Sequence, residues 1–153
     1  MDEKELKQEC LNLMETADAV YLSTLGGDGF PYTRMMSNLI NKEENPGCAE
    51  VLGTDKKDFE VYFATGFSSV KMQQIRTNPK VSVYFCNPAE FHTLMLLGQI
   101  QEVTDQEFKK KLWQDGWEIH WPGRAEDPEF IVLRLSPTFA KGWYKEGPFE
   151  FRL

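Results

Sequence analysis

Two apolar runs, Ala19–Leu25 (AVYLSTL) and Tyr32–Ile40 (YTRMMSNLI), flank Gly26–Pro31 (GGDGFP). Glycines and an aspartate between alternating apolar segments predict a β-hairpin. Further strand-like runs follow at Phe59–Thr65, Lys80–Cys86 and His92–Val103, and the segments Phe130–Pro137 and Ala140–Leu153 close the chain. Six or so strands, mostly neighbours in sequence, with three helices between them, predict an antiparallel β-barrel with helical inserts, an α+β fold. The regular βαβ alternation of a Rossmann sheet is missing.

The predicted helices have their own signatures. Residues 2–17 place Leu6, Cys10, Leu13, Met14 and Ala17 on one face, with Asp2 and Glu5 suited to the helix start. A short helix is expected over Ser69–Thr77, stopped by Asn78–Pro79. A third begins near Thr104, with Thr104 and Glu107 reading as a capping box and Lys109–Lys111 toward its negative end. Asn41–Asp58 reads as a long, polar, irregular connection, and Trp117–Phe130 as a Trp/Pro-rich loop. No repeat or linker divides the chain, so a single domain over 1–153 is expected, with the barrel from about residue 19.

Composition narrows the function classes. At 153 residues and 41% hydrophobic, the chain supports one proper core. A net charge of −7 and a pI near 4.9 argue against general nucleic-acid binding, which needs a basic surface. Cys10, Cys48 and Cys86 are odd in number and far apart, a pattern that suits reduced thiols. The N-terminus is acidic, unlike a signal peptide, and no apolar run approaches the roughly 18 residues of a membrane span. A soluble cytoplasmic protein is expected. His92 and His120 have no acidic or thiol neighbours at metal-ligand spacing, so no metal site is expected.

The most informative stretch is Phe63–Phe85 (FATGFSSVKMQQIRTNPKVSVYF), where a strand breaks into Thr65-Gly66-Phe67-Ser68-Ser69 and a short helix carrying Lys71 follows. The first N–H groups of a helix lack intrahelical partners and carry the positive end of its dipole, so a hydroxyl-rich loop leading into them can cradle an anion. A cation in the first turn is unfavourable by about 0.3–1 kcal/mol, and a bound phosphate reverses that sign. The plain alternative is a capped connecting helix whose lysine reaches solvent. Arg34 lies in the second strand on the same face as Met36 and opposite Met35, and its planar fork suits phosphate. Nothing in the sequence alone brings Arg34 and Lys71 together.

These residues form an ordered set: T-R-x-M at Thr33–Met36, the strand-to-helix turn with Thr65, Ser69 and Lys71, N-P-x-V at Asn78–Val81, and a late W-x-x-G…D-P…W ending at Trp143. The set resembles the pyridoxamine 5′-phosphate oxidase-like, FMN-binding split-barrel family, in its general stress protein branch, from about Leu11 to Tyr144. The resemblance implies a six-stranded antiparallel split barrel and a homodimer with FMN at the interface. It implies that Arg34 and Lys71 contact the FMN phosphate, with Ser69 and Thr65 as hydroxyl partners. The main chain of Arg34, Met35, Met36 and Ser37 would then run along the isoalloxazine edge, with Ala64 and Thr65 alongside. Trp143, and less firmly Trp113, Trp117 and Trp121, would reach the flavin from the other subunit.

Two departures set the functional expectation. Val70 stands where the oxidases carry a second basic residue beside the lysine, and the family's C-terminal Arg/His segment for pyridoxal phosphate has no counterpart in "FEFRL". The expected function is an FMN-dependent oxidoreductase, nitroreductase-like in one version, acting on a small organic molecule other than pyridoxamine phosphate. NAD(P)H is the candidate electron donor. The alternative is a non-catalytic, stress-related protein binding FMN or the deazaflavin F420. No nucleophile motif of the G-x-S-x-G type is present.

Overall fold

The computed structural model describes all 153 residues. Four α-helices, α1 (Glu3–Thr16), α2 (Pro46–Asp55), α3 (Val70–Thr77) and α4 (Gln106–Leu112), accompany seven strands. These are β1 (Ala19–Leu25), β2 (Pro31–Ser37), β3 (Val61–Gly66), β4 (Lys80–Asn87), β5 (His92–Glu102), β6 (Phe130–Tyr144) and β7 (Gly147–Arg152). All pairings are antiparallel, in the order β2-β1-β4-β5-β6-β3, with β7 on the remaining stretch of β6. The sheet curls into a split barrel, and β2 and β3 are the ends of its path.

The hairpin at GGDGFP forms as expected. Gly29 takes φ +86°, the left-handed region that glycine enters without Cβ strain. Asp28 secures the turn by accepting from the Phe30 N–H and the Tyr32 hydroxyl. Helix α1 starts with a full capping box between Asp2 and Glu5 and buries Cys10, Leu13 and Met14 against the sheet. Its last carbonyls are taken by side chains from beyond β2: Asn38 Nδ2 donates to Met14 O and Ala17 O, and Asn41 Nδ2 donates to Ala17 O.

Three expectations need correction. Residues 41–58 are not irregular, because α2 occupies Pro46–Asp55 and buries Cys48, Ala49 and Leu52. Pro46 fits the first helical turn, whereas Gly47, Gly53 and Thr54 weaken the helical pattern, so packing rather than propensity holds this helix. The cap of α4 is Asp105, whose carboxylate accepts from the Glu107 and Phe108 N–H groups, in place of a Thr104–Glu107 box. Finally, the boundary between the last two segments moves: Phe130–Pro137 and the start of Ala140–Leu153 form one strand of 15 residues, and the remainder of the second segment turns back as β7, so the sheet has seven strands.

Pro137 inside β6 explains why that strand reads as two. Pairing with β3 ends at Leu135, pairing with β7 begins at Phe139, and the register against β5 slips between Leu97 and Gly98. Pro137 has no N–H to give and sits where the ladder changes hands.

The core has two parts that share β3. The larger lies inside the curl, where Val61 and Phe63 meet Val20, Leu22, Val83, Leu94, Leu96 and Leu133. The smaller lies on the other face of β3, where Tyr62 meets Leu39, Leu52, Leu112 and Phe130 from the helical side. Strand β3 is thus fixed from both faces up to Thr65.

Gly142 is a sensitive point of this frame, since an added Cβ would run into the Thr93 backbone carbonyl. Gly142→Ala is expected to cost about 1–3 kcal/mol through overpacking, read as a drop of about 2–4 °C in Tm per kcal/mol. Gly27→Ala, which meets nothing within 4 Å, is expected to melt like the parent.

Candidate functional site: a cavity at the split

The unpaired ends of the sheet line one cavity of about 310 Å³, at the lower end of the roughly 300–1,000 Å³ of small-molecule sites. Met35, Met36 and Ser37 come from β2, Phe63, Ala64 and Thr65 from β3, and Lys71 from α3. Leu39 and Asn45 close it from the α2 side, and Trp117, His120 and Trp121 from the loop after α4. No aspartate or glutamate lines it. Strand β2 pairs only with β1, so its other edge offers unpaired main-chain donors and acceptors.

The start of α3 borders this cavity. Ser69 is its N-cap residue, yet its hydroxyl makes no capping bond and is buried with no partner at all. A buried hydroxyl without a partner costs about 1–3 kcal/mol; His92 Nε2 and Trp113 Nε1 are the other two buried polar side-chain atoms without one. Lys71 turns back to donate from Nζ to Thr65 Oγ1 at 2.8 Å. Arg34 emerges from β2 on the same side as Met36, while Met35 is 68% exposed on the other, as strand alternation predicts.

The two cations lie within range of each other's charge. Burial pushes the Lys71 ammonium below its ordinary range, and the nearby Arg34 charge pushes it in the same direction. Burial also lowers Arg34. Arg34 Nη1 is held by Leu22 O, Thr24 Oγ1 and Tyr32 O at 2.8–3.1 Å, and Nη2 reaches Gln74 Oε1 at 3.4 Å. Nη1 is therefore used up within the protein, whereas no protein group accepts from Nε and Nη2 has only the long bond to Gln74.

The hydroxyl-rich loop is anchored from behind. Ser68 donates from both its N–H and its hydroxyl to one oxygen of Glu129, and the Glu129 carbonyl accepts from the Phe67 N–H and Trp121 Nε1. The Asp127-Pro128 turn extends this anchor, since Asp127 accepts from the Gly123 and Glu129 N–H groups. The Trp-rich wall and the hydroxyl-rich loop are thus one connected piece.

The remaining aromatic residues separate by role. Trp117 and Trp121 stand in the wall of this chain's own cavity, and Trp113 packs behind them edge-to-face on Phe130 at 5.1 Å. The three do not share one helix, because α4 ends at Leu112 and Trp117 begins a separate turn. Trp143 is not in the cavity: it pairs with Thr93 of β5 and gives its indole N–H to Lys145 O. His120 lines the cavity, whereas His92 is buried elsewhere against Tyr144. No group of three or more His, Cys, Asp or Glu is placed to hold a metal ion.

Four site features went unread in the sequence: Asn45, His120, Gln74 and Thr24. Gln74 had a usable signal, since it follows Lys71 by three residues and shares its helix face. Asn45 was hidden because its segment read as irregular, and only tertiary packing brings His120 to the cavity.

Comparison with known proteins agrees with this geometry. The family model described as pyridoxamine 5′-phosphate oxidase matches residues 6–144. A pyridoxine/pyridoxamine 5′-phosphate oxidase of Pseudomonas putida is 31% identical over 91 residues, 60% of this chain. That match spans only about a third (35%) of the curated relative. Among solved structures, a protein related to general stress protein 26 from Clostridium acetobutylicum is 25% identical, with a TM-score of 0.76 over 100% of this chain and 97% of its own. A pyridoxamine 5′-phosphate oxidase-related, FMN-binding protein from Nostoc punctiforme shares the fold at 14% identity and a TM-score of 0.68, covering 99% and 92% of the two chains. With its split barrel, its cavity between the unpaired strands and a model match over nearly its whole length, the chain belongs to the pyridoxamine 5′-phosphate oxidase family.

Proposed function

We propose that the cavity binds FMN, with the phosphate at the start of α3 and the ring along the free edge of β2. On this reading the protein is a flavin-dependent oxidoreductase acting on a small organic molecule. The observation that carries it is Lys71 in the wall of a cavity that no carboxylate lines, within range of the Arg34 charge and two residues after Ser69, whose buried hydroxyl has no partner. Partly buried cations without a counter-charge describe an anion site. The FMN-binding relative of the same fold supports flavin as the anion's carrier.

The donors present fit a phosphate monoester. Arg34 gives its Nε–Nη2 edge, Lys71 its ammonium, and Ser69 its free hydroxyl proton. Thr65 already accepts from Lys71, so its own proton remains free to donate. Charge-assisted bonds of this kind contribute about 1.5–3 kcal/mol each, a large part of the roughly 8 kcal/mol of a micromolar complex. A bound flavin supplies the hydride or electron transfer. The protein holds the phosphate, meets the ring's polar edge with the Arg34–Ser37 main chain, and walls off water with Trp117 and Trp121. Position 70 is a valine, 61% exposed, so the cradle has two cations. His120 is the one imidazole in the wall, and a flavin-binding protein without turnover is the second reading. Consumption of NAD(P)H with an electron-poor acceptor separates the two.

A homodimer belongs to the same proposal. On the outer face of the sheet, Tyr21 pairs with Met35 and with Tyr84, and Tyr84 pairs with Met95, which makes an apolar row across four strands. Met35 and Tyr84 are 68% and 38% exposed. Met35 also borders the cavity, so a second copy covering the row would close the flavin site.

Arg34→Ala and Lys71→Ala are each expected to weaken FMN binding about tenfold or more, roughly 1.4 kcal/mol, with unchanged circular dichroism. Parent-like FMN affinity in both variants would place the phosphate elsewhere. Tyr84→Glu is expected to halve the mass found by light scattering and to lose FMN with it. A dimer that survives this change would move the interface off the outer sheet face.

A further inference from the structure

Thr24, 2% exposed at the end of β1, and Gln74 on α3 form a closed ring with Arg34. Arg34 Nη1 donates to Thr24 Oγ1, the Thr24 hydroxyl donates to Gln74 Oε1, and Arg34 Nη2 reaches the same oxygen. Thr24 has one proton, which is spent on Gln74, so its lone pair is turned toward Arg34. Gln74 lies three residues after Lys71, on the same face of the helix. Helix α3 therefore sets a neutral carbonyl oxygen on the guanidinium and carries, one turn earlier, an ammonium within range of its charge.

We infer that Gln74, oriented by Thr24, is the positioning residue that docks Arg34 against α3 beside Lys71 and keeps the pair ready for a phosphate group. The inference rests on the anion site proposed above. Two neighbouring cations repel each other, and each lowers the other's tendency to stay charged, as seen at Lys71. A neutral acceptor holds the guanidinium in place without cancelling its charge. A carboxylate at the same position would hold it more firmly and cancel it. Glutamine thus keeps Arg34 fixed while leaving the site's net positive charge unneutralised, at the expense of unliganded stability.

Opposite effects on stability and binding distinguish this role from a merely structural one. Gln74→Glu is expected to raise the Tm of the ligand-free protein, to weaken FMN binding at least about tenfold, and to abolish the Tm rise that inorganic phosphate gives the parent. Gln74→Ala is expected to lower the Tm and to weaken FMN by a smaller factor. The measurements are FMN fluorescence quenching and melting curves with and without phosphate, on parent, Arg34→Ala and both Gln74 variants. If Gln74→Glu and Gln74→Ala bind FMN like the parent while Arg34→Ala does not, the role of Gln74 is overturned and the phosphate site stands. If neither FMN nor phosphate stabilises the parent, the anion site falls, and the inference with it.

Discussion

The curled sheet does not close, because β2 and β3 are the ends of its strand order and do not pair with each other. An open edge in a sheet needs cover. Here the gap between the edges is bridged by side chains from α3, from the α2 segment and from the loop after α4, and it remains a cavity. The free main chain of β2, the start of α3 and the tryptophans of the wall all take their places from that gap.

Stability and function are distributed unevenly around it. Strand β3 is clamped between the barrel core and the smaller helical core, so the backbone leading to Thr65 is rigid. The loop that follows is held chiefly by polar bonds to Glu129, and its most buried hydroxyl, Ser69, is left without a partner. Rigid support beneath an unsatisfied polar centre is the arrangement expected where the missing partner is a ligand. The opposite distribution holds on the outer face of the sheet, where apolar rather than polar groups lack cover.

Much of this was legible in the sequence where local chemistry decides. The glycine-rich hairpin, the Asp2–Glu5 box and the strand-to-helix turn at Ser69 each depend on a few adjacent residues, and each formed where expected. Helix α2 was not legible, because Gly47 and Gly53 dilute its pattern and its burial is completed by α4, whose Leu112 carbonyl receives the Cys48 thiol. Strand β6 was split in the reading because Pro137 normally ends a strand, and only its change of partners makes it tolerable. In the site, Arg34 and Lys71 were identifiable by residue type and turn. Their proximity, and the neutral acceptors that make it bearable, are tertiary facts.

A phosphate group at the start of α3 would separate two otherwise similar flavins. The direct measurement compares FMN with riboflavin, which carries the same ring without the phosphate, by gel filtration of each flavin with the protein and the visible spectrum of the protein peak. FMN is expected to co-elute with a perturbed flavin band, and riboflavin to be largely left behind. Equal retention of the two flavins would contradict it, because the ring alone would then account for binding, and Arg34, Lys71 and Ser69 would have no phosphate to hold.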